Sequence, residues 1–260
     1  MIIDTHMHLY DNKYDDIREE VIKEALDMGV EKMIAVGFDY ASSVASIELA
    51  NRYDFIYAAI GLHPSEVQKE SDHNLSWIYE LAKNKKIIAI GEIGLDYYWD
   101  KTYVDLQKEF FHRQIEIAKD LNLPIIIHSR DASFDSFEVV SKHPGVVGVF
   151  HCYSGSLEMA ERLIKLGYYI GVGGVLTFKN SKEIKRVVEG ISLDSILSET
   201  DSPYLAPHPH RGELNHPGYT KYVVEKIAEI KNIDFLEVTK KLEENAYRLF
   251  KIGDNDVNKD

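Results

Sequence analysis

Eight short apolar runs, each followed by a longer stretch with helical spacing, dominate this chain and leave few folds open to it. The runs are Ile2–His8, Lys32–Gly37, Phe55–Ile60, Lys86–Gly91, Ile125–His128, Val146–Phe150, Tyr168–Val172 and Ser195–Leu197. Most are continuously apolar rather than alternating, as expected of strands covered on both faces in a parallel sheet whose crossovers are helices. Between them, Ile17, Val21, Ile22, Ala25 and Leu26 share one helical face, and Leu106, Phe110, Ile117 and Leu121 share another. Shorter helices are expected near 44–50, 75–82, 134–140, 157–166 and 184–188, and two more over 219–230 and 235–250.

Eight strand–helix units in 260 residues predict a single-domain (β/α)₈ TIM barrel over 1–252, with an open doubly wound sheet as the competitor. The polar end, 253–260, is expected to be a frayed tail. Composition narrows function from the other side. A formal charge of −13, from 30 Lys+Arg against 43 Asp+Glu, argues against a long groove tracking nucleic-acid phosphates. One cysteine, Cys152, rules out an intrachain disulfide and suits a reducing, cytoplasmic setting. No uncharged run approaches the roughly 18 residues that span a bilayer, and no leader-like segment opens the chain, so no membrane association is expected.

The placement of polar residues favours the closed barrel. His6 and His8 end the first run, Glu92 follows the fourth, His128 the fifth, His151 the sixth, and Glu199 and Asp201 the eighth. In a barrel the carboxyl ends of all strands meet at one mouth, where active sites of this fold are built. His6 and His8, two apart on a strand, project to the same side and can hold one cation between neutral imidazoles. Each residue also has a dull role: Glu92 as a solvated acid, His151 as a hydrogen-bonded core histidine, Asp201 as a turn residue ahead of Pro203. Their shared placement favours a site. His73, His112 and His143 are expected at the surface or in packing, and His208 and His210, broken by Pro207 and Pro209, are set aside. Cys152 is expected to face away from His151 as a small buried hydrophobe.

Six segments in order resemble the motifs of the TatD family of metal-dependent hydrolases. They are Asp4-Thr5-His6-Met7-His8, Gly61-Leu62-His63-Pro64, Gly91 to Tyr97, His128-Ser129-Arg130, His151 to Gly155 and Glu199 to Leu205. The resemblance implies a barrel hydrolase of the wider amidohydrolase-like group, with a two-metal site and nuclease activity on DNA ends. It assigns His6, His8 and Asp201 to one cation and His128 and His151 to the second, with Glu92 bridging. One departure stands in the loop after the last strand. Where the family usually reads Arg-Gly-x-x-Asn-Glu-Pro, this chain has Arg211-Gly212-Glu213-Leu214-Asn215-His216-Pro217, which puts substrate preference at that rim in question.

The chemistry expected of such a site follows from charge. Two divalent ions roughly 3.5–4 Å apart lower the pKa of a shared water and clamp phosphodiester oxygens during in-line attack. Asp201 is the candidate general base as well as a ligand. His63, Arg130 and Arg211 are candidate phosphate contacts, arginine by its bidentate fork. Tyr98, Trp99, Tyr153 and Phe178 fall in rim loops, where packing is their commoner fate than stacking on bases. Mixed imidazole and carboxylate ligands accept zinc or manganese, while magnesium prefers oxygen and is the ion the family is associated with. The expected substrate is a DNA end or a small phosphoester. The alternative is a carbon–nitrogen or carbonyl-ester bond, as in an amide, lactone or aminoacyl ester. Related amide and lactone hydrolases often bridge with a carboxylated lysine where this chain has Glu92, which tilts the expectation toward phosphoesters.

Overall fold

All eight expected strands form and pair in chain order as one parallel sheet, β1 (Ile2–Met7), β2 (Val30–Val36), β3 (Ile56–Ile60), β4 (Ile87–Asp96), β5 (Ile125–Arg130), β6 (Gly148–Phe150), β7 (Tyr169–Val172) and β8 (Ile196–Ser198). The computed structural model describes residues 1–99 and 101–252; the tail expected at 253–260 lies outside the described residues. Helices α1 (Arg18–Asp27), α2 (Tyr40–Arg52), α3 (Ser76–Leu81), α4 (Val104–Asp120), α5 (Ser133–Ser141), α6 (Leu157–Lys165) and α7 (Lys182–Gly190) make the crossovers, and α8 (Thr220–Lys231) and α9 (Phe235–Phe250) follow β8. Among the described residues no helix is long and apolar enough to cross a membrane.

Side chains alternate along each strand, so the sheet feeds two cores. Ile3, Ile34, Ile88, Ile126, Val149 and Leu197 come from six different strands yet form one buried cluster. Only the inside of a closed barrel brings such residues together. Ala246, Leu249 and Phe250 of α9 join the same cluster, so the last helix packs against the barrel filling. The other set, including Met33, Ala35, Ile90 and Ile127, packs outward against α4's Phe110, Phe111 and Ile115 and against the other helices.

The seam between β8 and β1 positions the mouth. Thr5 Oγ1 donates to the Ser198 carbonyl (3.1 Å), and Ser198 Oγ donates to that of Ile3 (3.2 Å). Beyond β8 the chain continues alongside β1: Asp201 N donates to the His6 carbonyl (2.9 Å) and His8 N to that of Ser202 (2.8 Å). Buried Asp4 ties the same two segments, accepting from Thr200 N (3.0 Å) and Thr200 Oγ1 (2.5 Å). Burial is the main cause that lifts its carboxyl to about 7, against the lowering effect of these hydrogen bonds.

β4 runs to Asp96, five residues past the expected end at Gly91. Its pairing with β5 slips between Ile90 and Ile93, and Gly94 adopts φ +138°, with a Cβ there falling 2.0 Å from the His128 carbonyl oxygen. Glycine is what that approach and that φ require.

Away from the mouth, His112 on α4 and His143 after α5 make a relay. His112 Nδ1 and His143 Nε2 lie 2.7 Å apart, and His143 Nδ1 donates to Glu116 Oε1 (2.6 Å). Burial, then the neighbouring His143 and Lys142, hold His112 below its ordinary value of 6.5, against a smaller opposing pull from Glu116. The unfolded chain therefore takes up this proton first. Stability contributed here is fully present above about pH 6.5 and is lost as pH falls through 6.5 toward the folded value. Thermal melts from neutral to mildly acidic pH should show a shallower acid-side decline in His112→Gln than in the wild type; parallel curves would remove this group from the balance.

Candidate metal centre

Five histidines and four carboxylates meet at the mouth. His6 is in β1 and His8 just beyond it; their Nε2 atoms are 3.2 Å apart. Asp201, held in the left-handed region (φ +55°), places Oδ1 3.3 Å from His8 Nε2 and 3.7 Å from His6 Nε2. Aspartate tolerates that backbone better than most residues. Glu92, on the extended β4, reaches between two groups of imidazoles. Its Oε2 lies 3.7 Å from His6 Nε2, while Oε1 lies 2.7 Å from His151 Nε2, 2.9 Å from His128 Nδ1 and 3.6 Å from His63 Nε2. The six residues assigned to cations in the sequence thus share one largely buried cluster, and among the described residues three triads drawn from it and its neighbours, His6–His8–Glu92, His63–Glu92–His128 and His6–His151–Glu199, have ligand atoms close enough to hold an ion.

The surroundings fix which ring nitrogens face the centre. His8 Nδ1 meets the Val36 carbonyl at 2.8 Å, an acceptor only, so Nδ1 carries the proton and Nε2 is bare toward His6 and Asp201. His128 Nε2 meets Asp96 Oδ2 at 2.8 Å, which leaves Nδ1 bare toward Glu92. Lone pairs and carboxylate oxygens thus face one another in a largely buried cluster, an arrangement that fits a bound cation. Burial opposes charge on His8, His128 and His151, yet Asp201, Asp96 and Glu92 raise all three, His151 to about 9. Burial works against charge on Glu92 too, and the histidines around it nevertheless hold it well below the ordinary carboxylate range.

Two residues here were missed in the sequence. Asp96 seemed to lie beyond its strand because the apolar run stops at Gly91. Glu199 was noted only as a carboxylate at a strand end. It lies buried behind the centre, accepts from Cys152 N, and its Oε1 is 3.8 Å from His151 Nδ1. Asp96→Ala should weaken cation affinity ~10–100-fold, with Asp96→Asn intermediate because its amide oxygen still accepts from His128. Competition titration of the metal-free variants with zinc measures both; affinities equal to wild type would deny Asp96 an orienting role.

A cavity of about 440 Å³ opens onto the cluster, lined among others by Tyr10, Phe38, His63, Arg130, Asp201 and Tyr204. Cys152 also lines it, contrary to the expectation from the sequence: β6 stops at Phe150 and the chain turns through φ +42° at Cys152, so strand alternation no longer applies. Burial pushes its thiol well up, with Asp201 and Glu199 adding to the shift. Arg130 stacks on Tyr98 with its Cζ 3.8 Å from the ring centre, and Arg211, which is not among the residues lining this cavity, stacks on Phe178 at 4.2 Å. Tyr98 and Trp99 are exposed, whereas Tyr153 is buried and donates to the Ser156 carbonyl (2.8 Å). His216 is not among the residues lining this cavity. It is buried, accepts from Gly218 N (3.2 Å) and packs on Tyr219, so the departure at this position is accommodated locally. Its neighbour Asn215 braces the site loop, donating to the carbonyls of Thr200 (2.9 Å) and Tyr204 (2.5 Å).

Comparison with known proteins finds similar chains over nearly the whole length. Residues 3–251 match the family described as TatD related DNase. The chain is 48% identical to an uncharacterized metal-dependent hydrolase, YabD, of Bacillus subtilis, covering 97% of this chain and all of that one. It is 33% identical to the uncharacterized metal-dependent hydrolase YcfH of Escherichia coli, over 96% of each. Among solved structures it is similar to YjjV, a TatD homologue from Escherichia coli, at TM-score 0.92 and 32% identity, covering 96% of this chain and 98% of that one.

Proposed function

This chain belongs to the TatD related DNase family of metal-dependent hydrolases, and on that premise we propose that it is a two-cation phosphodiesterase acting on DNA ends or on small phosphoesters. One observation carries the reading: the two oxygens of Glu92 face two different groups of ligands, Oε2 toward His6 and Oε1 toward His128 and His151. A carboxylate so placed is suited to lie between two ions. His6, His8 and Asp201 would hold one, His128 and His151 the other.

Bound divalent cations, zinc or manganese by ligand type and magnesium by family association, supply Lewis-acid polarisation and a more acidic water. The chain's own groups do the rest. Asp201, which lines the cavity, accepts the proton of the attacking water. Arg130, exposed at the rim and steadied on Tyr98, offers its fork to a phosphate, and Arg211 does the same from its stack on Phe178. Two such arginines on an acidic protein suit short or single-stranded ends better than long duplex. The single cysteine suits work in the cytoplasm.

The test is a panel of single-stranded oligonucleotides, simple phosphodiesters and carbonyl esters offered to metal-reconstituted protein, with a chelated control. Cleavage of the first two, abolished by chelation, is the expected result. Turnover of carbonyl esters alone would transfer the site to the alternative chemistry.

A further inference from the structure

His63 stands apart from His8 and His128 because of what holds its outer nitrogen. Nδ1 of His8 faces a carbonyl and Nε2 of His128 faces a carboxylate, both acceptors. Nδ1 of His63 instead receives the backbone N–H of Ser65 (3.1 Å), with Ser65 Oγ also at 2.8 Å. A backbone amide only donates, so Nδ1 must be bare and the proton of the neutral ring must sit on Nε2. That Nε2 points inward, 3.6 Å from Glu92 Oε1. The second contacts thus sort the three histidines that have one: an accepting partner leaves a lone pair at the centre on His8 and His128, and a donating partner leaves an N–H there on His63, while Nδ1 of His6 and of His151 is buried with no hydrogen-bond partner.

Asp201 lies with His6 and His8, on the Oε2 side of Glu92, and His63 lies with His128, on the Oε1 side. Both line the same cavity. In-line displacement places the attacking and leaving oxygens on opposite sides of phosphorus, so a base on one side calls for a donor on the other.

Resting on the phosphodiesterase reading, we propose that His63 is neither a metal ligand nor a general phosphate contact but the neutral hydrogen-bond donor to the leaving oxygen, through Nε2–H. Water oxygen bonds to phosphorus, its proton passes to Asp201, and the bond from phosphorus to the leaving oxygen breaks with the electron pair staying on that oxygen. His63 keeps its proton and stabilises the nascent alkoxide, which takes its own proton from solvent. Asp201 returns the first proton to solvent. A poor leaving group depends on this contact and a good one does not, so His63 sets which esters are cleaved.

Two measurements test this. Nitrogen chemical shifts of histidine-labelled protein, metal-free and zinc-loaded, should show His63 protonated on Nε2 and bare on Nδ1 in both states; a bare or metal-shifted Nε2 on loading would make it a ligand and overturn the proposal. His63→Ala is then assayed with two diesters of thymidine 5′-phosphate, one methyl and one p-nitrophenyl. Loss of one oxyanion donor should slow the methyl ester ~100-fold while the nitrophenyl ester changes less than about fivefold, with His63→Gln recovering part of the difference and bound metal unchanged. Equal losses on both esters, or one cation fewer, would contradict the role. If the wild type cleaves neither ester, the phosphodiesterase reading is what fails, and the nitrogen shifts still decide the tautomer.

Discussion

Asp201→Asn is expected to lower kcat by ~10²–10⁴-fold while the protein stays folded and binds close to its normal complement of cations. The substitution keeps the shape of the side chain and one oxygen near His8, so the cluster loses little geometry. It removes the ability to accept a proton from the attacking water. Turnover, circular dichroism and metal content measured on one preparation separate these effects. Near-normal kcat would deny Asp201 the role of base, and a folded but metal-free variant would make it a ligand first.

Glu92→Ala should be at least as damaging, by roughly 10³-fold or more, because it removes charge that faces both halves of the centre at once. The buried imidazoles lose their shared counter-charge, so the loss should be visible as metal content as well as rate. Plasma emission on dialysed protein should find the variant with no more than one cation per chain. A fully loaded and active variant would mean that the carboxylate between His6 and His151 is incidental.

Much of this was legible in the sequence, for identifiable reasons. Buried parallel strands leave continuous apolar runs, which is why all eight were countable. His6 and His8 were readable because strand alternation is local. The rest depended on backbone events with no apolar signature. β4 passes through Gly91 and Gly94 with a slipped register, so Asp96, which meets His128 Nε2, lies past the apolar run that marks the strand. Cys152 turned toward the cavity because its residue leaves the strand with positive φ. The distinction between His63 and its neighbours was out of reach, because it depends on whether the atom behind the ring donates or accepts. The closing of the seam by Thr5, Ser198 and Asp4 was equally hidden, since those side chains meet from opposite ends of the chain.

On the two-cation reading, one carboxylate, Glu92, separates two cation sites. Anomalous diffraction from crystals of protein reconstituted with zinc or manganese tests it most directly. Two peaks are predicted, one between Glu92 Oε2 and the His6–His8–Asp201 group and one between Glu92 Oε1 and the His128–His151 pair. A single peak, or ions bound away from Glu92, would contradict it.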